Sequence, residues 1–304
     1  MNAFEFNAGS ESQRGSPSVG LKPAIVIPVH KPELTAAEKA SLAQVAGVLS
    51  DFPILLAMPE SISPAAYHNV CSFVQTVLFE DHWFQGFRQH QKLMTSVGFY
   101  QRFDSYSHIL VYHLDSWVFR NELLQWCATE FDYIGAPWRS GFSVDGSPQF
   151  LSAGNGGFSL RRVEACLRAL ELFDGRRYRG LRELLLEFRF RKGGSAFRHL
   201  VALPLKLVGL GNTLRHFLES YTYTEDKFWA HSAVLANPGF RVAPVNVAKQ
   251  FAFEASPKAL YEELYETLPF GCHAWRYEQS FWCDQIGLPR DRDFRPHDEN
   301  GVAL

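Results

Sequence analysis

A histidine and an aspartate, His113 and Asp115, stand two residues apart in the segment His108–Phe119, whose first half is an apolar run. We interpret that run as a buried strand, which places the carboxylate where the strand ends. A hard cation such as Mg²⁺ binds one or two protein carboxylates and completes its shell with phosphate and water oxygens. Asp115 is therefore a candidate metal contact. The alternative is a structural cap, the more frequent role of a single aspartate at a strand end.

Two adjacent glycines lie in the segment Gly154–Leu160, whose sequence is GNGGFSL. Glycine lets the backbone approach a ligand closely, and its free N–H groups can bind an anion. The segment is not a P-loop, because no Gly-Lys-Ser/Thr follows it. A tight turn that contacts no ligand is the alternative interpretation.

An acidic pair, Glu225 and Asp226, follows Thr224 at the expected start of a helix. Carboxylates at a helix N-terminus are stabilised by about 0.3–1 kcal/mol through the helix dipole, which is by itself a complete explanation of the pair. The functional alternative is a general base within hydrogen-bond reach of an acceptor hydroxyl.

Histidines supply two further candidates. His273 lies between apolar residues in Pro269–Trp275, a setting typical of a core histidine, although beside a metal it could act as a ligand. His30, followed by Lys31, comes directly after the apolar run Pro23–Val29, where a strand would end.

Apolar runs alternate with helical patterns between these candidates. Further buried strands are predicted at Phe52–Pro59 and Gln75–Glu80, and Thr35 with Glu38 predicts a capping box at a helix start. A single helical pattern covers residues 86–103. Such alternation indicates an α/β fold on a mostly parallel sheet, whose ligands bind outside the carboxyl ends of the strands. The His-Lys pair and the aspartate described above both fall at such ends.

Composition bounds the class of protein. The 304-residue chain has 30 Lys and Arg against 32 Asp and Glu and is 46% hydrophobic, which is typical of a globular protein. Five cysteines without a C-x-x-C pair argue against a disulfide framework or a cysteine-built zinc site and favour a reducing cytosol. No apolar stretch of about 18 residues occurs, so we expect no membrane span. We expect one domain over residues 22–290, between a disordered tail at 1–21 and a C-terminal tail at 291–304.

Basic residues concentrate in one part of the chain. Residues 161–216 contain 13 Lys and Arg against 5 Asp and Glu, with leucines and phenylalanines interleaved. We expect a helical insertion over about residues 174–221, with its basic part at 176–206. Its arginines are either simply solvated or form a surface for an anionic glycan or an anionic membrane, near which each basic residue contributes about 1 kcal/mol. No nucleic-acid motif accompanies the insertion, so we expect no nucleic-acid partner.

The order of these segments resembles a family of uncharacterised bacterial glycosyltransferase-like domains with the GT-A fold. The matching segments, over roughly residues 22–280, are FRQHQKLMTSVGFYQRF, ILVYHLDSWVF, WCATEFDYIGAPW, GNGGFSLRRV, TEDKFW and PFGCHAW. Each segment is weak evidence alone, and their ordered combination is the specific feature. The resemblance implies a Rossmann-type, mostly parallel sheet flanked by helices that binds a nucleotide sugar.

The resemblance also implies a metal site. A D-x-D-type motif of such domains binds the donor diphosphate through Mn²⁺ or Mg²⁺. Here His113 stands where the first aspartate would be, so Asp115 is the acidic metal contact. If His273 is a second ligand, its imidazole favours Mn²⁺ over Mg²⁺.

Roles for the remaining candidates follow from the same resemblance. Asp226, with Glu225, resembles the x-E-D element of inverting enzymes, whose aspartate is the base. Trp138 of DYIGAPW would stack on a sugar ring, or else be a core aromatic residue. The other donor-binding candidates are His30 and Lys31, at the nucleotide base and ribose, His113 and Asp115, at the diphosphate, and Asn155, Gly156 and Gly157, along the donor sugar.

The implied reaction is sugar transfer from a nucleotide-diphosphate sugar, with a UDP-sugar favoured, to a hydroxyl of a bacterial surface glycan or lipid-linked acceptor, as in polysaccharide biosynthesis. We expect such an enzyme in the cytoplasm, where the basic insertion could dock it at the inner face of the cell membrane. Two other classes stay open. A nucleotidyl- or phosphotransferase would release pyrophosphate or move phosphate, and a non-catalytic glycan- or lipid-binding module would release no nucleoside diphosphate.

Overall fold

A six-stranded sheet forms the centre of the protein in a computed structural model, which describes residues 20–142, 148–174, 194–208 and 224–290. The strands in these ranges are β1 (Pro23–Pro28), β2 (Ile54–Pro59), β3 (Gln75–Phe79), β4 (His108–Tyr112), β5 (Trp117–Val118), β6 (Tyr133–Gly135), β7 (Pro137–Phe142), β8 (Pro148–Ala153), β9 (Phe158–Arg162), β10 (Ala252–Phe253) and β11 (Gly271–Cys272). The central sheet has the order β3-β2-β1-β4-β9-β6. Its first four strands are parallel, and β9 runs antiparallel to both neighbours. The predicted α/β fold with a mostly parallel sheet is confirmed.

Two smaller sheets accompany the central one. Strands β7 and β8 pair as an antiparallel ribbon. Strands β10, β11 and β5 form a three-stranded sheet in that order, with β11 parallel to β10 and antiparallel to β5. The short three-stranded sheet joins the segment after β4 to the last part of the described chain.

Helices flank the central sheet. In the described ranges they are Ala36–Val48, Ala65–His68, Phe87–Leu93, Val97–Gln101, Leu123–Cys127, Val163–Asp174, Gly194–Leu207, Glu225–Lys227, Ala233–Ala236, Val245–Phe251, Pro257–Glu263 and Gln279–Ile286. A π-helical turn, Phe228–Ser232, joins two of them, and 3₁₀ turns occur at Asp81–Phe84 and Trp275–Glu278.

The first helix begins as its sequence indicates. The Thr35 side chain accepts a hydrogen bond from Glu38 N, and the Glu38 carboxylate accepts one from Thr35 N, so the predicted capping box is present. Leu42 and Val45 of this helix are fully buried against the sheet. The cap therefore fixes where the chain turns back after β1.

The single helix expected over residues 86–103 is a wrong prediction. The structure has two short helices, Phe87–Leu93 and Val97–Gln101. Ser96 interrupts them because its hydroxyl caps the second helix, accepting a hydrogen bond from Phe99 N at 3.1 Å. Serine competes with the helical backbone in this way and therefore favours a cap over a helix interior.

Strand β1 is buried on both faces. Ile25 and Ile27 pack into one apolar cluster with the first helix, whereas Ala24 and Val26 pack into a second cluster with the helix Val163–Asp174. Alternate side chains of a strand point to opposite faces, so helices on both sides cover a sheet with continuous apolar strands. Side chains that could bind a ligand therefore have to lie in the loops at the ends of the strands.

Most of the predicted basic insertion lies outside the described residues, as do residues 1–19 and 291–304. The backbone of the helix Gly194–Leu207 is described and includes Pro204. The proposed docking of residues 176–206 on an anionic surface and the domain boundaries stay predictions. Among the described residues, no helix is both long and apolar enough to cross a membrane.

Candidate functional site

The carboxyl end of β4 and the start of β9 lie side by side. These strands are antiparallel with Tyr112 opposite Phe158, so the residues after β4 meet the residues before β9. His113 N donates a hydrogen bond to Gly157 O at 2.7 Å. Because β1 is parallel to β4, His30 reaches the same edge of the sheet. The topology thus gathers the predicted donor-binding segments at one edge.

His113, Asp115 and His273 form a cluster at this edge. Their ligand atoms all lie within 4.8 Å of one another. His273 Nε2 faces Asp115 Oδ1 at 3.3 Å. Pairing of Cys272 with Trp117 in the small sheet carries His273 to the segment that follows β4. The structure therefore brings the predicted metal contacts together and adds His113, which the sequence had suggested only for donor binding.

The cluster suits a divalent cation. His273 Nε2 is buried and has no well-formed hydrogen bond among the described residues, although it points toward Asp115. Two imidazoles and one carboxylate suit Mn²⁺ or a later transition metal better than Mg²⁺, which prefers oxygen ligands. Ala274, directly after His273, has a left-handed φ of 53°. Such strain in a non-glycine residue costs about 1–3 kcal/mol and is common at functional sites.

The protonation of these groups is set by burial and by their contacts. Burial opposes ionisation of Asp115, but the neighbouring His273 outweighs it and lowers the pKa of the carboxyl below its usual range. Burial and His273 lower the pKa of His113 to about 3. Burial would lower the pKa of His273, but Asp115 and Glu254 raise it to about 10. Asp115 is therefore an anion and His113 a neutral imidazole at neutral pH, and a cation that binds Nε2 of His273 must displace a proton.

The glycine turn, Asn155–Gly157, packs directly against His273 of this cluster and against Glu225 of the acidic pair. A Cβ atom on Gly157 would overlap the His273 ring, and one on Gly156 would overlap the Glu225 carboxylate. Asn155 Oδ1 accepts a hydrogen bond from Gly157 N at 2.9 Å, which closes the turn. Glycine is required at both positions because other side chains occupy the space.

A buried ion pair supports the turn from behind. Arg161 Nη2 lies 2.9 Å from Glu225 Oε2, and both side chains are buried. The guanidinium also donates to Tyr100 Oη at 3.0 Å and to Gly156 O at 3.3 Å. The side-chain oxygen of Gln91 accepts a hydrogen bond from Glu225 N. These contacts hold the Glu225 carboxylate in place.

Asp226 is less constrained than its neighbour. Its side chain is half-buried, and Oδ1 accepts a hydrogen bond from Lys227 N at 2.8 Å. Burial raises the pKa of the Asp226 carboxyl, and the negative charge of Glu254 adds to the effect. A half-buried carboxylate with a raised pKa has the properties of a general base.

Trp138 lies on the far side of the turn. The half-buried indole packs against Gly154, where a Cβ atom would overlap it, and its ring centroid is 5.6 Å from that of His231. The Tyr133 hydroxyl donates to Gly154 O at 2.7 Å and holds the same segment. Trp138 thus packs against one side of the turn, and part of the indole surface stays exposed.

A cavity of about 500 Å³ opens beside the cluster. Its lining includes four predicted site residues, namely His30, Lys31, His113 and Asp115. Lys31 Nζ lies 2.8 Å from Glu38 Oε1, and the Tyr67 hydroxyl donates to Lys31 O at 2.7 Å. The cavity therefore runs from the end of β1 to the cluster, and charged and aromatic side chains fix its wall.

Three residues of the site had no assigned role in the sequence. Arg161 lies inside the recognised GNGGFSLRR segment, but nothing in the segment indicates that its arginine is buried. His90 lines the cavity with its ring 5.9 Å from that of His113, and burial lowers its pKa to about 4. Glu254 follows a two-residue strand and contacts His273. A two-residue strand leaves no periodic signal, so no pattern marks Glu254.

Solved structures similar to the chain include three glycosyltransferases. The galactosyltransferase LgtC, in complex with donor and acceptor sugar analogs, is 12% identical at a TM-score of 0.45, over 87% of this chain and 94% of that one. Mouse xyloside xylosyltransferase 1, apo form, is 12% identical at 0.44, over 83% and 97%. The apo-form glycosyltransferase GlyE of Streptococcus pneumoniae TIGR4 is 11% identical at 0.42, over 83% and 54%. Identities and TM-scores of this size assign no activity to the chain.

Sequence comparison gives a family. No curated protein matches the chain significantly. The family described as "Protein of unknown function (DUF5672)" matches residues 73–273, more than half of the chain, and this range includes Asp115, Gly157, Asp226 and His273. The chain therefore belongs to the DUF5672 family.

Proposed function

We propose that the protein is a glycosyltransferase that moves a sugar from a nucleotide-diphosphate donor to a hydroxyl group. One observation carries the proposal: His113 and Asp115 of the cluster line a cavity of nucleotide size, and His273 of the same cluster contacts the glycine turn that packs on Glu225. Ligands of open α/β sheets bind outside the carboxyl ends of the strands, where these groups lie. The sequence resemblance to glycosyltransferase-like domains agrees with this placement.

The donor would lie along the cavity. His30 and Lys31 at the end of β1 would contact the nucleoside, and the diphosphate would reach His113 and Asp115. A bound Mn²⁺, or Mg²⁺ with lower preference, would supply Lewis-acid stabilisation of the negative charge on the leaving diphosphate. The exposed part of Trp138 and the Asn155–Gly157 turn would contact the sugar.

Asp226 would act as the base. The acceptor hydroxyl attacks the anomeric carbon while the bond from that carbon to the diphosphate oxygen breaks, and the leaving group keeps the electron pair. The hydroxyl proton passes to the Asp226 carboxylate, and attack from the face opposite the leaving group inverts the anomeric centre. General-base assistance contributes about 10²–10⁴-fold to rate. Glu225 is held by Arg161 and would position Asp226 rather than take the proton.

The partners of this reaction belong to the same proposal. A UDP-sugar is the favoured donor, and a bacterial surface glycan or lipid-linked acceptor the favoured acceptor. The enzyme would act in the cytoplasm, with the basic insertion held at the inner face of the membrane. Polysaccharide biosynthesis is the process in which such a transfer occurs.

A panel of nucleotide sugars tests the proposal directly. Thermal unfolding is measured with each donor, with Mn²⁺ and with a chelator, because a ligand at 100 times its Kd stabilises a protein by about 2.7 kcal/mol. We expect stabilisation by one class of nucleotide sugar that depends on Mn²⁺. Analysis of products with that donor then separates the classes: a nucleoside diphosphate supports sugar transfer, whereas pyrophosphate or transferred phosphate contradicts it. Glycan binding without nucleotide turnover would also contradict it.

A further inference from the structure

The carboxylate of Glu254 joins two parts of the site. Glu254 Oε1 lies 3.0 Å from His273 Nδ1 and accepts a hydrogen bond from Asn155 Nδ2 at 2.6 Å. The side chain is 24% exposed, so the carboxylate lies at the inner edge of the site rather than in bulk water. One oxygen atom thus contacts both the metal-binding cluster and the glycine turn.

Strand register explains why Glu254 meets His273. Strands β10 and β11 are parallel, with Phe253 opposite Cys272, and His273 N donates to Phe253 O at 3.0 Å. The residue that follows each strand therefore lies beside the other. The contact is built into the pairing of the small sheet and does not depend on a flexible side chain reaching across a gap.

A continuous path of hydrogen bonds leaves Glu254 and returns to the cluster. Asn155, held by Glu254 through Nδ2, presents Oδ1 to Gly157 N at 2.9 Å. Gly157 O in turn accepts a hydrogen bond from His113 N at 2.7 Å. The path thus ends at His113, which lies in the same cluster as His273. The side chain of Glu254 is the point at which the turn and the cluster are fixed together.

We propose that Glu254 is a positioning residue. It orients the His273 ring so that Nε2 faces the metal, and it holds the Asn155–Gly157 turn beside that ring. The inference rests on the metal site of the proposed function. A carboxylate accepts hydrogen bonds only, so Nδ1 of His273 carries the hydrogen, and Nε2 is the nitrogen left to face Asp115. Carboxylates that hold a metal-binding histidine in this way orient the ring and raise its basicity as a ligand.

Direct ligation by Glu254 fits the geometry less well. Among the described residues, the group whose ligand atoms converge contains His113, Asp115 and His273 but not Glu254. Its Oε1 atom is already shared by two donors, from Asn155 and His273. The residue therefore acts through the histidine and the amide.

Mn²⁺ binding to the full chain tests the positioning role. Calorimetry would compare the wild type with Glu254→Ala, which removes the acceptor, and Glu254→Gln, which keeps one acceptor oxygen without the charge. We expect the Kd for Mn²⁺ to rise about 10–100-fold in the alanine variant and by less in the glutamine variant. Glu262→Gln is the matched control, because Glu262 is 64% exposed and its nearest basic partner, Lys258, lies 4.0 Å away. It should bind Mn²⁺ as the wild type does.

A second readout separates this inference from the metal site itself. In the metal-free protein, nitrogen-resolved NMR should show a protected Nδ1–H proton on His273, identified by its loss in His273→Ala, and Glu254→Ala should abolish that protection. Wild-type Mn²⁺ binding that both Glu254 variants retain undiminished would overturn the positioning role and leave the metal site standing. If the wild type binds no Mn²⁺, the metal site fails, and a protected Nδ1–H proton that persists in Glu254→Ala overturns the positioning role as well. Should the alanine variant not fold, Glu254→Leu, which also removes the acceptor and keeps more of the side-chain volume, carries both measurements.

Discussion

Arg161 and Glu225 form a buried ion pair with 2.9 Å between Nη2 and Oε2, directly behind the Gly156–Gly157 turn. Removing one partner of a buried pair leaves an uncompensated charge in the interior, at a cost of about 3–5 kcal/mol. We therefore expect Arg161→Met to lower the free energy of unfolding by about that amount in a denaturant titration. Loss of the pair should also free the Glu225 carboxylate to move.

An exposed pair in the same protein is the control for that measurement. Arg241 and Glu130 are 61% and 66% exposed, and exposed pairs contribute about 1 kcal/mol or less. Arg241→Ala should therefore change stability little. Equal effects of the two arginine substitutions would show that the Arg161 pair is not buried as described.

Gly157→Ala tests how tightly the turn packs on the cluster. The added Cβ atom would overlap the His273 ring, and overpacking of this kind costs about 1–3 kcal/mol. The ring must shift, so we also expect weaker Mn²⁺ binding in calorimetry. Gly47→Ala is the matched control, because a Cβ atom there meets no atom within 4 Å and alanine favours the helix by about 0.5–1 kcal/mol. A Gly157→Ala variant that behaves like Gly47→Ala would contradict the packing.

Asp226→Asn tests the proposed base. Asparagine keeps the shape of the side chain but cannot take the proton from the attacking hydroxyl group. We therefore expect kcat to fall by about 10²–10⁴-fold while the Kd of the donor stays unchanged. Steady-state kinetics and donor calorimetry give the two quantities. Asp284→Asn, at a 73% exposed side chain, should leave both unchanged. Wild-type turnover by Asp226→Asn would remove the base assignment.

The pH dependence of the reaction measures the ionisation of the Asp226 carboxyl group. Burial raises the pKa of Asp226, so the protonated, inactive form persists to a higher pH than for an ordinary aspartate. We expect kcat to rise with pH through a limb above the usual aspartate pKa of about 3.9 and then to level off. The residual activity of Asp226→Asn should lack this limb. A limb that survives in the variant would assign the titration to another group.

The sequence predicts the strands and the helix cap around the site better than the side-chain contacts within the site. Parallel strands with continuous apolar runs and the Thr35–Glu38 capping box follow from local patterns, and both are present. Asp115 could be predicted at a strand end because that strand has a clear boundary. Local pattern failed at Ser96, where a hydroxyl cap divides an otherwise continuous helical period.

The side-chain contacts within the site depend on pairings between distant parts of the chain. Glu254 meets His273 only through the register of two strands of two residues each, and such strands have no period to read. Arg161 looks like any basic residue at the end of a strand until Glu225, 64 residues later, is placed beside it. Long-range pairing, rather than local propensity, decides which charged residues are buried.

The central claim, a metal-dependent nucleotide site at His113, Asp115 and His273, is tested most directly by calorimetry. Uridine diphosphate is titrated into the wild type and into Asp115→Ala, each with Mn²⁺ and with a chelator. The account predicts binding to the wild type that is much tighter with Mn²⁺, and loss of this difference in Asp115→Ala. Equal affinity of the wild type with and without Mn²⁺, or a Mn²⁺ effect that survives in Asp115→Ala, would contradict it.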